Sequence, residues 1–407
     1  MNSANTNSGI STGVVIQAAH SNSVGQRRLR VAVLNRNFSP TAGGAERLSI
    51  AHVEQLAPRH DIHVFAQTLA HAIPGVTFHK VSTSPFMWRW TNQLWYATAA
   101  WWATRHGFDV IHSHENIWCG NVQTVTVLPS KYKLFYGVSG PRLLLSWMKV
   151  LTSPRLITYL WLEKKRFAIG QKKKRITATS DILLQQMASV YPDSAHVFEV
   201  VTPGVTMPSE VATPQRQLAA RKQLGLPQTG RGILFVGNDY GKKGLNTLLK
   251  SLAKFHDNTW LAVVGNPAHI QEFQRHAQEE GVADRVHFLG SIKDTGPAYV
   301  AVDCLAHPTL EDTFAMVVVE SMANGVPVVV SGKNYCGISA LLTHETNVLL
   351  VEDPRNADAL HAALARVLED DVLRQKLCAA GLQFAAKYQW SAISLQQEKI
   401  YFEVAQS

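Results

Sequence analysis

Residues 232–255 read GILFVGNDYGKKGLNTLLKSLAKF, a short apolar strand followed by a glycine-containing loop and an amphipathic helix. The same arrangement occurs earlier in the chain, where the apolar strand LRVAVLNRNF (29–38) leads into the turn and helix SPTAGGAERLSIAHVEQLA (39–57). A strand that runs through such a turn into a helix is the first unit of a doubly wound parallel sheet. The two copies therefore predict two α/β domains of this type.

Further apolar strands follow each of these two starts, and amphipathic helices separate the later ones. The predicted strands are HDIHVFA (60–66), DVIHSH (109–114) and TVTVLP (124–129) in the first half, and TWLAVVG (259–265), RVHFLG (285–290), VDCLAHP (302–308) and VPVVVSG (326–332) in the second. Such alternation is typical of parallel sheets with helices on both faces. The predicted fold class is α/β, with two Rossmann-like domains that face a cleft where ligands bind.

The 407 residues exceed what one hydrophobic core normally supports, which agrees with two domains. Residues 1–26 are rich in Ser and Asn and contain no Lys or Arg, so we expect a disordered tail and no signal peptide. The N-terminal domain is expected at 27–205 and the C-terminal domain at 229–385. A linker is predicted at 206–228, because the stretch VTPGVTMPSEVATPQRQ (201–217) carries three prolines and no sustained periodicity.

The chain carries 39 Lys and Arg against 30 Asp and Glu, a net charge of +9 with His neutral. Such a surplus favours an anionic partner, which leaves nucleic acid, an acidic membrane surface and a phosphorylated substrate open. The four cysteines are widely scattered, which predicts reduced thiols in a cytoplasmic protein and neither a zinc site nor a disulfide framework. No stretch approaches the roughly 18 apolar residues of a membrane-spanning helix.

Two acidic residues, Asp312 and Glu320, lie eight positions apart in DTFAMVVVESMANGVPVVVSG (312–332). On one helix they would be about 12 Å apart, whereas the carboxyl groups of a glycosidase pair lie roughly 5 to 9.5 Å apart. The spacing suits a ligand with two hydroxylated ends and an anion between them, which a helix N-terminus would bind. A nucleotide diphosphate sugar has this layout. The alternative is that Asp312 only caps the helix and Glu320 is an exposed helical residue.

The longer segment HPTLEDTFAMVVVESMANGVPVVVS (307–331) resembles the signature HPSxxEGFGxxxxEAMAxGxPVVAS of glycosyltransferase family 4, a group of retaining enzymes with the GT-B fold. Asp312 stands in place of the first Glu of that signature, and Glu320 is the second. Thr313 and Ala315 replace the two glycines that flank Phe314, which reduces backbone freedom beside the expected diphosphate. The shorter Asp312 side chain also alters the reach toward the donor sugar.

Four other segments extend the resemblance in the expected order. They are SPTAGGAER (39–47), DVIHSHE (109–115), FVGNDYGKKGLNTLLKSLA (235–253) and GISALLTHETNVLLVEDPRNADALHAAL (337–364). Within the third, the phrase GxDxGxKG is especially similar to lipopolysaccharide-core glucosyltransferases of Gram-negative bacteria. In this fold the final segment, 386–407, is expected to include a helix that crosses back to the N-terminal domain.

The resemblance implies which residues bind the donor diphosphate. Lys243 is the expected ligand, together with Lys242, and Asn238 stands where many members carry Arg. Lysines at the start of a helix are unfavourable unless an anion is bound, which supports this role over a purely solvated one. Gly43 and Gly44 are expected to present backbone N–H groups to the diphosphate from the other domain, although an ordinary tight turn would also explain them.

The resemblance also implies a reaction centre. His114, at the end of DVIHSH, is expected beside the donor sugar as a catalytic residue together with Asp312, while His112 is expected on the other side of the strand in a structural role. The other donor contacts are expected from the backbone of Thr313, Phe314 and Ala315 and, at the ribose hydroxyls, from Glu320.

No residue stands out as a nucleophile. Retaining members are thought to react on one face of the sugar, with the departing diphosphate helping to deprotonate the acceptor. The protein would then contribute positioning and electrostatic stabilisation. The sequence contains no D-x-D motif of metal-dependent transferases, so we expect no metal and no cofactor beyond the nucleotide-sugar donor.

Two segments bear on the acceptor. FMWRWTNQLWYATAAWW (86–102) holds five of the ten tryptophans, which suits a membrane interface or a lipid-facing groove but equally a helix packed on the core. LEKKRFAIGQKKKRITATSD (162–181) carries two basic clusters, which suit an anionic lipid surface or a solvated helix face.

We therefore expect a metal-independent retaining hexosyltransferase. UDP is the commonest donor nucleotide of the family, so a UDP-sugar such as UDP-glucose is expected, and GDP is left open as the alternative. Its acceptor is expected to be an anionic lipid-linked or lipopolysaccharide glycan at the inner face of the plasma membrane, where the protein would be peripheral. The open alternatives are another GT-B activity, such as a nucleotide-sugar epimerase, and a basic nucleic-acid-binding protein. No nucleic-acid-binding motif is recognisable, so nucleic acid is not an expected partner. A dinucleotide oxidoreductase is disfavoured because the first turn lacks GxGxxG.

Overall fold

A computed structural model of the chain describes residues 27–40, 43–86, 88–170, 173–210, 212–256 and 258–406. The expected tail at 1–26 lies outside these residues. The described chain forms two parallel sheets with helices packed around them, so the predicted α/β fold class is confirmed.

The first sheet has the strand order β5-β3-β1-β6-β7-β8-β9, and neighbouring strands are parallel. The strands of this half are β1 (Arg30–Leu34), β2 (Asn37–Phe38), β3 (Asp61–Ala66), β4 (Thr68–Leu69), β5 (Val76–Lys80), β6 (Val110–Ser113), β7 (Val122–Val125), β8 (Arg175–Ala178) and β9 (Phe198–Val200). The short strands β2 and β4 pair with each other apart from this sheet. The helices are α1 (Gly44–Leu56), α2 (Arg89–Thr104), α3 (Ser130–Phe135), α4 (Pro141–Leu151), α5 (Pro154–Phe167) and α6 (Asp181–Val190).

The second sheet has the order β12-β11-β10-β13-β14-β15 and is also parallel. Its strands are β10 (Arg231–Val236), β11 (Thr259–Val264), β12 (Val286–Gly290), β13 (Cys304–His307), β14 (Val328–Ser331) and β15 (Leu349–Val351). The helices of this half are α7 (Pro214–Gln223), α8 (Leu245–Leu252), α9 (Ile270–Glu279), α10 (Gly296–Val300), α11 (Met316–Ala323), α12 (Ala357–Glu369), α13 (Asp371–Ala385) and α14 (Trp390–Ala405).

The central strand β10 explains why these strands read as continuous apolar runs. Successive side chains of a strand point to opposite faces. Leu234 and Val236 accordingly join the apolar cluster on one face of the second sheet, whereas Ile233 and Phe235 join the cluster on the other. A parallel sheet covered on both faces needs apolar residues at every position, and β10 supplies them.

The chain crosses between the two halves twice, and the two crossings touch. The backbone N–H of Val205 donates to the carbonyl of Tyr388 at 2.7 Å, and Trp390 donates back to Val205 at 3.3 Å. A Cβ on Gly204 would lie 2.7 Å from the Trp390 ring, so the contact requires glycine. Beyond this point α14 returns and packs on α1, with Tyr401 among the core residues of the first half.

The segment expected as a linker, 206–228, differs from that expectation because it contains helix α7. Pro214 begins the helix at the position where proline is favoured, and the Thr213 side chain caps it by accepting from the N–H of Arg216. Arg221 ties α7 to the second half, since its guanidinium donates to Ala301 at 2.7 Å and pairs with Asp303 at 2.9 Å. Pro214, one of the three prolines that predicted a linker, therefore marks the start of a packed helix.

Candidate active site

A cavity of about 560 Å³ lies between the two halves of the molecule and is lined by residues of both. Most of the residues expected to hold the donor lie on its wall. They are Gly43, Gly44, Asn238, Lys242, Lys243, Asp312, Thr313, Phe314 and Ala315. The cavity lies at the carboxyl ends of the strands, which is where ligands of open α/β sheets bind.

Two loops form its floor, one after β10 and one after β13, and they meet because these strands are neighbours in the sheet. The N–H of Leu310 donates to the carbonyl of Lys242 at 2.9 Å. Gly244 has a φ of +82°, and a Cβ there would lie 1.9 Å from the carbonyl oxygen of Pro308. Only glycine permits this approach, so Gly244 fixes where Lys243 stands relative to the second loop.

Asp312 is the centre of a hydrogen-bond network that uses both of its carboxylate oxygens. Oδ1 accepts from the N–H groups of Phe314 at 3.2 Å and Ala315 at 2.9 Å. Oδ2 accepts from Lys243 Nζ at 2.6 Å and lies 3.1 Å from His307 Nε2. Burial acts to raise the pKa of Asp312, but the hydrogen bond from His307 and the charge of Lys243 outweigh it and hold the pKa below its usual range. Asp312 is therefore ionised at neutral pH.

The two positions where glycine is replaced have different consequences. Ala315 keeps a φ of 70° at the start of α11, a left-handed conformation that costs a non-glycine residue roughly 1–2 kcal/mol. Thr313 instead gains contacts to the first half: its Oγ1 donates to the carbonyl of Thr126 at 2.7 Å, and its own carbonyl accepts from Ser180 Oγ at 2.6 Å. The loop 312–315 is thus strained at one end and anchored across the cleft at the other.

Lys242 is engaged by a carboxylate. Its Nζ lies 2.7 Å from Glu311 Oε1, and Lys133 of α3 lies 3.4 Å from the same oxygen. Burial acts to raise the pKa of Glu311, but the hydrogen bond from Lys242 and the charge of Lys133 reverse the effect and lower it. A phosphate contact by Lys242 would have to displace Glu311.

Glu320 is placed differently from the other expected donor ligands. It lines a second cavity of about 720 Å³ that adjoins the first, and its side chain is 11% exposed. One oxygen pairs with Arg47 Nη2 of α1 at 2.8 Å, and the other accepts from the Tyr299 hydroxyl at 2.7 Å. Glu320 is therefore neither an exposed helical residue nor an unpaired carboxylate.

His114 is not among the residues that line either cavity, in contrast to the expectation. Both of its ring nitrogens are buried without a partner in the described structure, and burial holds its pKa well below the usual range. The placement of His112 on the opposite side was wrong, because its ring centroid lies 4.3 Å from that of His114. Residues two apart on a strand share a face. His112 is held by the Tyr401 hydroxyl at 2.6 Å and Thr124 Oγ1 at 2.7 Å, as a structural residue would be.

Sequence reasoning missed several polar residues of the site. Arg47 and His307 lie inside quoted motifs, so proximity to a glycine loop or a strand end could have flagged them. Tyr299 and Lys133 carry no local signal, since only the tertiary fold brings them to Glu320 and Glu311. Glu46 also lines the main cavity, and burial raises the pKa of its carboxyl group.

The basic clusters within 162–181 do not form one charged surface. Arg166 is buried and donates to Gln123 at 3.1 Å and to the Thr124 carbonyl at 2.5 Å. Lys174 is also buried and donates to the Ala168 carbonyl at 3.1 Å. These two cations are buried in the first half and are not available to a lipid surface, whereas Lys164, Lys165 and Lys173 of the same clusters are exposed.

The described residues contain no cluster of three or more His, Cys, Asp or Glu arranged to hold a metal ion. Every helix among them is too short or too polar to cross a bilayer.

Two family models match the chain, one on each half. The model of glycosyltransferase family 4 matches residues 42–207, and the model of glycosyl transferases group 1 matches residues 217–384. The two matches together cover both domains and include the cavity-lining loops described above. The chain belongs to this family of glycosyltransferases, which confirms the resemblance seen in its motifs.

Individual relatives agree with the family assignment. The phosphatidyl-myo-inositol mannosyltransferase of Mycobacterium leprae is 29% identical over 320 residues, which are 75% of this chain and 76% of that protein. The lipopolysaccharide glucosyltransferase WaaG of Escherichia coli is 25% identical over 222 residues, 53% of this chain and 58% of that protein. The chain thus matches only a little over half the length of WaaG in sequence.

Solved structures show the fold over a longer span. The crystal structure of WaaG, a glycosyltransferase involved in lipopolysaccharide biosynthesis, has a TM-score of 0.79 at 19% identity and covers 91% of this chain and 99% of its own. Anabaena HepE in complex with UDP and glucose has a TM-score of 0.69 at 18% identity, with 92% and 99% covered. At these identities the likeness establishes the GT-B fold.

Proposed function

We propose that this glycosyltransferase is a retaining, metal-independent enzyme that transfers a sugar from a nucleotide diphosphate sugar to an anionic, lipid-linked glycan. The observation that carries the donor half of the proposal is the pairing of Lys243 with Asp312 inside the interdomain cavity. Asp312 holds Lys243 on the wall of the cavity at a distance of 2.6 Å, where a remaining N–H of the ammonium group would donate to a diphosphate.

The donor would lie along the cavity wall. Its diphosphate would contact Lys243 and the N–H groups at the start of α1, where Gly43 and Gly44 offer no side chain to block the approach. The donor sugar would lie against the loop 312–315, and the ribose would reach Glu320. Asn238 and Lys242 would complete the phosphate site.

The chemistry follows from charge development. As the sugar–phosphate bond breaks, negative charge grows on the leaving diphosphate. Lys243 and the N-terminus of α1 stabilise this charge. Asp312 keeps Lys243 in position and anchors the loop through the N–H groups of Phe314 and Ala315. The diphosphate then takes the acceptor proton on the same face of the sugar, so no enzymatic nucleophile is needed. A contribution from His114 stays a prediction, since it would require the ring to move toward the cavity.

UDP is the donor nucleotide that we favour, and glucose is the sugar that we would test first. HepE, which has the same fold, was crystallised with UDP and glucose, and WaaG is named as a glucosyltransferase. The M. leprae relative is named as a mannosyltransferase, so GDP-linked mannose is included as a comparison.

The acceptor half of the proposal rests on the surface of helix α4. Leu144, Leu145, Trp147, Met148 and Leu151 are between 49% and 70% exposed, while Val150 is the buried residue of this helix. A helix that leaves this much apolar surface uncovered is typical of one that lies in a membrane interface. The tryptophans 88, 95, 101 and 102 around α2 are also exposed, and α5 packs against both α2 and α4.

The charge of this region supports an anionic lipid. Residues 86–173, which include these helices, carry twelve Lys and Arg against three acidic residues, a surplus of nine that equals the net charge of the whole chain. Arg142 and Lys149 lie on α4 itself. Basic residues beside exposed apolar ones favour an anionic lipid surface. The α3 helix, whose Lys133 lines the donor cavity, also packs against α4, so a membrane-bound acceptor would enter next to the donor.

This places the protein at the inner face of the plasma membrane in our proposal, with lipopolysaccharide or another surface glycan as the product. The related WaaG structure is described as part of lipopolysaccharide biosynthesis, which supports that assignment.

Thermal stabilisation by nucleotides tests the donor site. We expect one of UDP, GDP and ADP, or its sugar, to raise the melting temperature of the wild type in EDTA, because a ligand that binds only the folded state stabilises it. In Glu320→Ala the shift should be smaller, since the ribose loses its carboxylate. Stabilisation by RNA or DNA alone, with none from any nucleotide sugar, would reject the proposed function and favour a nucleic-acid-binding protein.

A further inference from the structure

The ion pair between Arg47 and Glu320 joins the two halves of the molecule at the place where the donor ribose is proposed to bind. Arg47 lies on α1 and Glu320 on α11, and their charged groups are 2.8 Å apart. Both oxygens of Glu320 are in use, one by Arg47 and one by Tyr299. A ribose hydroxyl can therefore bond this carboxylate only if one partner leaves.

Arg47 is the partner that can leave. Tyr299 is only 1% exposed, so its hydroxyl would lose Glu320 with little water available to replace it. The Arg47 side chain is 37% exposed, so water can solvate it as it moves. Its long, flexible side chain also projects into both cavities, because Arg47 lines each of them.

The main cavity offers Arg47 a second position. Arg47 lies one turn into α1, after Gly43 and Gly44, and all three residues line the main cavity. Lys243 contacts that site from the other half, where its charge is balanced by Asp312. A diphosphate brings more negative charge than Lys243 alone can neutralise, and a guanidinium binds phosphate oxygens in a bidentate manner.

We propose that Arg47 exchanges partners when the donor binds, leaving Glu320 to the ribose hydroxyls and taking the diphosphate as its own ligand. This inference rests on the proposed function and adds a residue of the N-terminal domain to the donor site. Arg47 would thereby couple occupancy of the ribose site to binding of phosphate across the cleft.

The exchange predicts opposite effects on two ligands that share a base and ribose. A nucleoside competes with Arg47 for Glu320, and it has no phosphate for Arg47 to bind. Arg47→Met should therefore tighten nucleoside binding, by about two- to fivefold for a partly exposed ion pair. The corresponding nucleoside diphosphate loses a charge-assisted phosphate contact in the same variant. Its affinity should fall by about tenfold.

The test uses the nucleoside diphosphate that stabilises the wild type most, with its nucleoside as the paired probe. Dissociation constants are measured for wild type and Arg47→Met, by calorimetry for the diphosphate and by NMR titration for the nucleoside. Arg374→Met is the matched control, because Arg374 pairs with Asp371 at 2.6 Å on α13 and has a similar exposure of 33%. Arg47→Lys should restore part of the diphosphate affinity.

Each other outcome is diagnostic. If Arg47→Met weakens both ligands equally, Arg47 only supports the local structure; if it tightens both, Arg47 only competes for Glu320. Either result overturns the exchange while leaving the donor site intact. If the wild type binds no nucleoside diphosphate, the proposed function fails first and the inference fails with it.

Discussion

The two halves of this molecule treat charge in opposite ways. In the C-terminal half, the cations at the cleft are matched by carboxylates, as in Lys243 with Asp312 and Lys242 with Glu311. In the N-terminal half, Arg166 and Lys174 are buried against neutral oxygen atoms, and the surface of α4 leaves large apolar side chains exposed. This difference agrees with our proposal that the first half contacts a lipid surface and that the second half binds the donor.

The largest effect should come from the charge pair in the C-terminal half. We expect Lys243→Met to lower kcat/KM for sugar transfer by about 10²- to 10³-fold, as when one preorganised donor is removed from a site of developing negative charge. Steady-state rates of transfer measure this. Lys250→Met, an exposed lysine on α8, is the control and should leave the rate unchanged. A Lys243 variant that keeps more than a tenth of the activity would contradict the diphosphate role.

The next effect should appear on the exposed surface of the N-terminal half. Combined replacement of Leu144, Leu145 and Trp147 by Ser should weaken partition onto vesicles containing anionic lipid by about a hundredfold, since each buried apolar side chain contributes on the order of 1 kcal/mol or more. Sedimentation with liposomes measures the partition.

Leu218→Ser is the matched control for this surface, because Leu218 is 50% exposed but lies on α7 in the other half. The melting temperature of the triple variant should fall only slightly, because Leu144 and Leu145 are exposed and Trp147, which packs on Phe135, is itself 49% exposed. Unchanged partition of the triple variant would show that α4 does not contact lipid.

The smallest effect should be a pH dependence from the buried cation Lys174. Burial, reinforced by Arg166, lowers its pKa from 10.5 to about 8. Below pH 8 the lysine is charged in both states and its burial opposes folding, whereas above pH 10.5 it is neutral in both. Its contribution to the free energy of unfolding should therefore rise with pH across this window, by about 2 kcal/mol.

Urea titrations at pH 7.5 and 10 measure that rise in wild type and in Lys174→Met. The other titratable groups are the same in both proteins. The difference between their pH-dependent changes in the free energy of unfolding therefore reports the contribution of Lys174. If the two proteins change in parallel with pH, Lys174 is not the buried cation that the comparison of the two halves requires.

Much of the fold could be predicted because buried parallel strands are recognisable in the sequence as continuous apolar runs. The strands β10 and β11 are apolar at nearly every position, and both were placed within a residue or two of their observed bounds. The edge strand β12 was predicted at 285–290, whereas the edge strand β5 was missed for the opposite reason. The residues VTFHK of β5 are only partly buried and alternate with polar side chains, so nothing distinguishes them from a loop.

The site was predictable only where its residues lie in local motifs. The glycine loop of α1 and the residues around Lys243 and Asp312 reached the cavity wall because each follows a strand end. The pairing of Arg47 with Glu320 depends on how α1 and α11 face each other, which no local pattern encodes. His114 carried a motif signal, but its ring packs against His112, which Thr124 and Tyr401 hold in place, and this packing is a tertiary property.

The most direct test of the account is a transfer assay with labelled nucleotide sugars and lipid extracted from bacterial inner membranes, in EDTA, comparing wild type with Lys243→Met. We predict that the wild type transfers label from one donor into the lipid-linked fraction, with the anomeric configuration of the sugar retained. The Lys243→Met variant should transfer the label at least a hundredfold more slowly. Conversion of the nucleotide sugar without label in any lipid-linked product would contradict this prediction and indicate a different reaction on the same fold.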